Sequence, residues 1–314
     1  MTLRSATRRD EALAAPEPLR ALRVNGVELH YTEAGSGNQD TVVLLHGGMG
    51  DLGSWTNQVR ALKDQYQVVS YSRRHSHPNR NRDIARARFA EYVDDDIEDL
   101  LALKRALRIG RPHLIGTSYG ALLALAVALR APHEVASLVL AEPPLHRWAC
   151  ATNAGLRLFN TFLNSWRSAG EAFAAGLQRP ALQILTDAMW GRPTFDRWPA
   201  DRVDAACRNA AALDALTRSR DPFPEIDRCS VADLAMPVLR VQGSHGSALH
   251  RHVMDELARV ITHGRRAEIA LAGHASATDN ADEFNAAVVE FLESLSCEVH
   301  RGEHDSDGLK SPQS

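Results

Sequence analysis

His113-Leu114-Ile115-Gly116-Thr117-Ser118-Tyr119-Gly120 is the stretch on which the reading of this chain turns. It opens as a short apolar run, and positions 121–129 continue in Ala, Leu and Val with no polar residue. A strand over His113–Gly116 followed at once by a helix over Tyr119–Arg130, apolar all round, predicts a buried strand–turn–helix unit. The residues Gly116–Gly120 have the form G-x-S-x-G, which is a weak pattern alone. In this context it describes a nucleophile elbow, a sharp turn that presents a serine at the edge of a sheet. A Cβ on Gly116 or Gly120 would collide in so tight a turn. The helix start at Tyr119 adds N–H groups and a positive dipole end where an oxyanion would form.

The pattern on either side is an alternation of strands and helices. Residues 20–33 alternate around the turn dipeptide Asn25-Gly26, a hairpin signal. Buried strands are expected at Thr41–Leu45 and Gln67–Tyr71, and further strands at Val135–Ala141, Pro237–Gly243 and Ala267–Ala272. Helices are expected at Tyr92–Leu107, Leu249–Ile261 and Ala281–Leu295. The first carries Asp94–Asp96 in its opening turn and Lys104 and Arg105 in its last, which suits the helix dipole. The three aspartates are read as that helix start rather than as a metal site. Such alternation predicts a parallel sheet covered on both faces.

From about His146 to Arg228 the alternation stops, leaving helical pieces punctuated by Arg179-Pro180 and Gly191-Arg192-Pro193. Nine of the thirteen Trp and Phe residues fall there: Trp148, Phe159, Phe162, Trp166, Phe173, Trp190, Phe195, Trp198 and Phe223. They suit two readings equally, the small core of an insert and the roof of an apolar pocket.

Composition removes several function classes. A net charge of -3 over 314 residues, with pI near 6.5, gives no electrostatic case for nucleic acid or an anionic membrane. The cysteines Cys150, Cys207, Cys229 and Cys297 are far apart with no CxxC spacing, so buried or incidental thiols and a reducing cytoplasm are expected. Residues 1–19 are expected to be a flexible N-terminus without the apolar run of a secretory signal, and 297–314 a loose polar tail. There is no P-loop, no dinucleotide fingerprint and no HExxH, so neither cofactor nor metal is expected.

On these motifs the sequence resembles the α/β-hydrolase superfamily, from about Leu22 to Leu295. His46-Gly47-Gly48 after the third strand looks like that family's oxyanion loop, and Gly273-His274 after the last strand like its catalytic histidine. The resemblance implies a mostly parallel eight-stranded sheet with helices on both faces and a helical cap inserted after strand six. The core would be 20–145 with 229–296, and the cap 146–228. It also implies roles: Ser118 as nucleophile, His274 as general base, and the backbone N–H groups of Tyr119 and Gly48 as oxyanion donors, with Met49 the alternative to Gly48.

One family position is empty. The usual acid lies in the turn after strand seven, where this chain reads Gln242-Gly243-Ser244-His245-Gly246-Ser247 and the expected position is Gly246. The sixth strand instead ends in Ala141-Glu142-Pro143-Pro144. Some family members take their acid from that place, so Glu142 is the expected third member, with Asp255 or a cap residue next in line. His46 is expected to be a structural hydrogen-bonder, and His245 and His250 surface residues or neighbours of the site. His75 and His77 lie in the loop after the fourth strand, which often borders the pocket mouth in this family, and a polar rim contact is the less favoured reading for them.

A serine nucleophile argues against dehalogenase and epoxide hydrolase chemistry, which needs a carboxylate there. The expected substrate is a mid-sized apolar ester or lactone, with no nucleic-acid or membrane partner and a homodimer left open. C–C bond hydrolysis, a cofactor-free peroxidase-like activity and a non-catalytic binding module are the alternatives.

Overall fold

The computed structural model describes residues 17–35, 37, 40–79, 81, 92–219 and 221–307, with the backbone alone for Tyr92 and 297–307. The expected N-terminal segment therefore falls, up to residue 16, outside the described residues. Eight strands form one sheet: β1 (Arg20–Val24), β2 (Val27–Ala34), β3 (Thr41–Leu45), β4 (Gln67–Tyr71), β5 (His113–Thr117), β6 (Ser137–Ala141), β7 (Val238–Gly243) and β8 (Arg265–Ile269). Their order is β1-β2-β4-β3-β5-β6-β7-β8. The β1/β2 and β2/β4 pairs are antiparallel and every other pair is parallel.

Asn25 (φ 47°) and Gly26 (φ 77°) both take positive φ between the paired Val24 and Val27, which is the two-residue turn that the β1–β2 hairpin requires. The interior strands β3, β6 and β7 are buried at every position, as parallel strands covered on both faces must be. β8 is displaced from the expected 267–272. It is an edge strand that starts on the exposed Arg265 and Arg266, so its polar half carries no apolar signal.

The helices are α1 (Thr56–Leu62), α2 (Tyr92–Ala106), α3 (Tyr119–Arg130), α4 (Asn153–Ala174), α5 (Gln178–Trp190), α6 (Ala200–Arg208), α7 (Ala210–Thr217), α8 (Arg228–Ala232), α9 (Ala248–Val260), α10 (Ser276–Asp279) and α11 (Ala281–Asp307). One core layer joins Trp55, Leu62, Phe284 and Val288 to the sheet, so α1 and α11 cover that face. The other joins residues of α2, α3 and α9 and runs on into α4–α7. Leu122, Leu123 and Leu125 of α3 are fully buried, each worth roughly 2 kcal/mol of hydrophobic burial.

Residues between β6 and β7 contain no strand among those described, only α4–α8 and short 3-10 turns. This block is fastened to the sheet's loops from both sides. Asn209 Nδ2 donates to Asp51 Oδ2 at 2.8 Å, and the N–H of His77 donates to Asn209 Oδ1 at 2.8 Å. On the other side Arg202 Nη1 lies 2.8 Å from Asp279 Oδ1.

One expectation needs correction. The chain from Cys297 does not leave the helix as a loose tail: α11 continues to Asp307. The run 297–307 is polar but has no proline, and the next one is Pro312, so nothing local interrupts the helix. Of the two readings open for the cysteines, the three described ones fit incidental thiols rather than buried ones. Cys150 and Cys229 are exposed, Cys207 is half-buried, and these three are free thiols.

The aspartates at the start of α2 face arginines. Asp95 lies 3.1 Å from Arg74, Asp96 lies 3.1 Å from Arg73, and Asp94 pairs with Arg130.

Candidate functional site

The turn between β5 and α3 is built by close approach. A Cβ on Gly116 would fall 2.3 Å from the Gly120 carbonyl, and one on Gly120 would fall 1.9 Å from the Leu45 carbonyl. Ser118 at its apex has φ 51° and ψ -122°, a conformation that costs a non-glycine residue of order 1–3 kcal/mol. The strand beside it repeats the device. Glu142, the residue after β6, has φ 47°, and the Ser118 N–H donates to the Ala141 carbonyl at 2.7 Å.

These two bends bring three sequence-distant side chains into one line. His274 Nε2 lies 2.9 Å from Ser118 Oγ, and His274 Nδ1 lies 2.7 Å from Glu142 Oε2. Glu142 is 1% exposed, and its other oxygen, Oε1, accepts the Gly243 N–H at 3.0 Å. A buried carboxylate with both oxygens engaged fixes the imidazole as the Nδ1–H tautomer, which leaves Nε2 to accept from the serine. The empty position after β7 also has a steric meaning. A Cβ on Gly246 would sit 3.0 Å from Glu142 Oε1, so the Glu142 carboxylate occupies the space beside that turn.

The His274 ring is held from both sides. His250 stacks on it at 4.1 Å and 24°, and Trp190 of α5 meets it edge-on at 5.5 Å and 87°. Trp190 can come so close because the neighbouring residue is Gly273, where a Cβ would lie 2.5 Å from the indole nitrogen. The Gly273 N–H donates to Asp279 Oδ2 at 2.9 Å, tying the same loop to the residue that Arg202 grips.

The loop 46–49 is anchored through the Gly47 carbonyl. The Gly47 oxygen accepts from His46 Nδ1 at 2.8 Å, from Arg73 Nη2 at 3.3 Å and from the Gly50 N–H at 3.2 Å. His46 Nε2 accepts the Arg73 N–H at 3.0 Å, so His46 is a structural hydrogen-bonder. Arg73 is 1% exposed, pairs with Asp96, and lies 4.3 Å over the Tyr119 ring. One buried guanidinium thus braces both the 46–49 loop and the first residue of α3. Gly48 and Met49 line the same cavity as Tyr119.

That cavity, about 960 Å³, opens on Ser118 and His274. Five of the nine insert aromatics line it (Phe162, Trp166, Trp190, Trp198 and Phe223), whereas Trp148, Phe159, Phe173 and Phe195 are buried without reaching it. The insert is therefore at once a small core and a roof. His245 is exposed, and neither His75 nor His77 lines the cavity, contrary to a rim contact. The loop that carries them instead supports the insert through the His77 N–H. Asp255 does not line the cavity either. Sequence reasoning missed the approach of Trp190, the stack of His250 and the place of His146 in the cavity wall.

Glu142, His250 and His274 offer ligand atoms within 4.8 Å of one another, the spacing of a metal site. Their donors are otherwise engaged. Both Glu142 oxygens accept hydrogen bonds, and His250 Nδ1 lies 2.8 Å from Ser247 Oγ. Two stacked imidazoles also direct their in-plane lone pairs side by side rather than toward one point. The cluster fits proton handling better than metal binding.

Burial holds His46, His146 and His250 well below the usual histidine range, His146 at about 3. In the unfolded chain each titrates near 6.5. Below that pH the unfolded state takes up protons that the folded state does not. The stability of these neutral imidazoles is thus complete above pH ~6.5 and is lost as pH falls, by roughly 1.4 kcal/mol per pH unit for each histidine. Burial raises Asp96 and Asp99, which works in the opposite sense at and just above the ordinary carboxylate range. Denaturant midpoints are expected to fall steadily from pH 7 to pH 5. A flat profile across that interval would show that these rings are not neutral and buried.

Comparison with known proteins agrees with this architecture. A family model described as alpha/beta hydrolase fold matches residues 40–281. RutD of Pantoea ananatis, a proposed carbamate hydrolase, is 24% identical over 269 residues, covering 84% of this chain and 93% of that one. The enol-lactonase of Burkholderia xenovorans superposes with a TM-score of 0.67 at 21% identity, over 87% of this chain and 100% of the other. A carboxylesterase of Bacillus subtilis does so with a TM-score of 0.67 at 15% identity, over 89% and 92% of the two chains. No helix among the described residues is long and apolar enough to cross a membrane.

Proposed function

This chain belongs to the α/β-hydrolase fold family, and on that premise we propose that it hydrolyses a carboxylic ester or lactone of mid-sized apolar character through an acyl-serine intermediate. The observation that carries the reading is the unbroken relay Ser118 Oγ–His274–Glu142, with a buried carboxylate at one end and the cavity at the other.

In this reading Ser118 Oγ attacks the acyl carbon as His274 Nε2 takes its proton. Glu142 accepts from Nδ1–H throughout and stabilises the imidazolium without itself being protonated. The oxyanion of the tetrahedral intermediate is held by backbone N–H groups at Tyr119 and at Gly48 or Met49. Each such donor is worth about 3 kcal/mol in the transition state. The C–O bond then breaks as His274 returns the proton to the leaving alkoxide, which in a lactone stays tethered to the acyl group. Water repeats the sequence in the second half-reaction, releasing the acid and restoring Ser118. Arg73 acts from behind by keeping the Gly47 carbonyl turned into its own hydrogen bonds.

Volume and lining support the substrate class. A cavity of about 960 Å³ whose lining includes Phe162, Trp166 and Phe223 suits a mid-sized apolar group, while Arg202, Asp204 and Arg208 line other parts of it. The experiment is intact mass after fluorophosphonate treatment, followed by kcat/KM over a panel of esters, lactones, a carbamate and a vinylogous diketone. A single adduct on Ser118 with esters or lactones the best substrates is the expected result. Folded protein without an adduct would sink the serine-hydrolase reading, and preference for the carbamate or the diketone would move the bond that is cleaved.

A further inference from the structure

His146 is a buried titratable group that the relay does not use. It opens the 3-10 turn His146–Ala151 that leads from β6 into the insert, is 2% exposed, and lines the cavity. Neither ring nitrogen has a hydrogen-bond partner among the described residues. Its surroundings are rings: Phe162 at 4.5 Å, Phe223 at 4.9 Å and His250 at 5.4 Å. Trp166 packs on Phe223 at 4.7 Å, also lines the cavity, and has an indole Nε1 likewise without a partner among the described residues.

Buried polar atoms are almost always paired, and each one left unpaired costs about 1–3 kcal/mol. Three such atoms in one aromatic corner of a cavity mark a place where a ligand supplies the missing bonds. Their chemistry limits what the ligand offers. The indole N–H only donates, and a neutral imidazole has one donor and one acceptor. Burial keeps His146 neutral, and no arginine or lysine lies among the rings named here, so a carboxylate or phosphate placed there would be desolvated without a counter-charge. A neutral oxygen loses little on entering such a corner and regains hydrogen bonds to both rings.

We propose that His146 and Trp166 form a subsite for a neutral oxygen, a ketone or hydroxyl, carried by the part of the substrate remote from the scissile bond. This rests on the ester-hydrolase reading in that it places the scissile carbonyl at Ser118. The substrate is then an oxo- or hydroxy-substituted ester or lactone rather than a plain hydrocarbon one. His146 is a specificity residue, since it touches the distal group and not the reacting atoms.

The test is a ladder of p-nitrophenyl alkanoates that differ only in a single keto group moved along the chain, each compared with its unsubstituted parent. For at least one position wild type is expected to prefer the keto ester by about tenfold in kcat/KM, the worth of one buried hydrogen bond. His146→Phe, which keeps the aromatic volume, should bring that ratio close to one, and His146→Gln should retain part of it. Parity at every position in wild type, or a preference that survives His146→Phe, overturns the proposal. A second arm does not need turnover: calorimetry on Ser118→Ala with 4-phenylbutan-2-one and butylbenzene. Tighter binding of the ketone, lost in Ser118→Ala/His146→Phe, supports the subsite, and equal affinities reject it. If fluorophosphonate gives no adduct and no ester turns over, the Ser118 reading falls, and the calorimetric comparison alone decides this one.

Discussion

Ser118→Ala is expected to lower kcat by about a millionfold, and His274→Ala by nearly as much, with the double variant little worse than either. Non-additivity is the informative part. Ser118 Oγ and His274 Nε2, 2.9 Å apart, act as one proton-transfer unit, so the second loss removes nothing that the first left working. Ser118→Ala should change thermal unfolding little. His274→Ala takes out a buried ring packed between His250 and Trp190 and leaves Glu142 Oε2 without its donor, so it should also lower the melting temperature. Ser118 sits at φ 51°, and alanine keeps that strain. Steady-state kinetics on the best ester of the panel checks the claim. Independent, multiplying losses would mean that the two residues serve different steps.

Glu142→Ala is expected to lower kcat by about 10³–10⁴-fold, and Gly246→Asp in the same chain to restore at least tenfold of it. The carboxylate beside Nδ1 holds the imidazole tautomer and balances the imidazolium charge. Its removal leaves the Gly243 N–H and His274 Nδ1 without their acceptor. The Cβ of residue 246 would lie 3.0 Å from the present position of Glu142 Oε1, so an aspartate there delivers its carboxylate into the volume that Glu142→Ala empties. Gly246→Asp alone should impair the enzyme, since two carboxylates then crowd one site. Gly246→Ala with Glu142→Ala, which supplies bulk without charge, should restore nothing. A double variant no better than Glu142→Ala would mean that the turn after β7 cannot aim an acid at His274.

Much of this was legible in local sequence because it depends on local rules. The elbow shows itself by two glycines that no other residue could replace, between an apolar strand and an apolar helix. The hairpin shows itself by Asn25-Gly26, and the interior strands by unbroken apolar runs. Glu142 follows only from the resemblance, in which the usual acid position falls on Gly246 and some members carry the acid after strand six. Its placement beside His274 is a matter of sheet order that no single segment states. What stayed hidden depends on side chains meeting across long separations. His250 and Trp190 enclose His274 from α9 and α5, and His146 meets Phe162 and Phe223 from three parts of the insert. The trace His146 left was its position, four residues past Glu142 at the head of an aromatic-rich block. The extent of α11 was missed for another reason: its last turns are polar, and burial was the signal being read.

The hydrogen bond from the Ser118 N–H to the Ala141 carbonyl continues the β5/β6 ladder to the point where both strands bend. Nucleophile and acid are therefore spaced by adjacent rungs of the most buried part of the sheet, rather than by loops that breathe independently. Parts mounted on the frame lose alignment only when the frame does. On warming, the separation of Ser118 from Glu142 should persist until the sheet itself melts, and any earlier decline in turnover would originate in the His274 loop or in the insert clamped by Arg202 and Asn209. The temperature gap between lost activity and lost ellipticity thus measures how firmly those clamps hold.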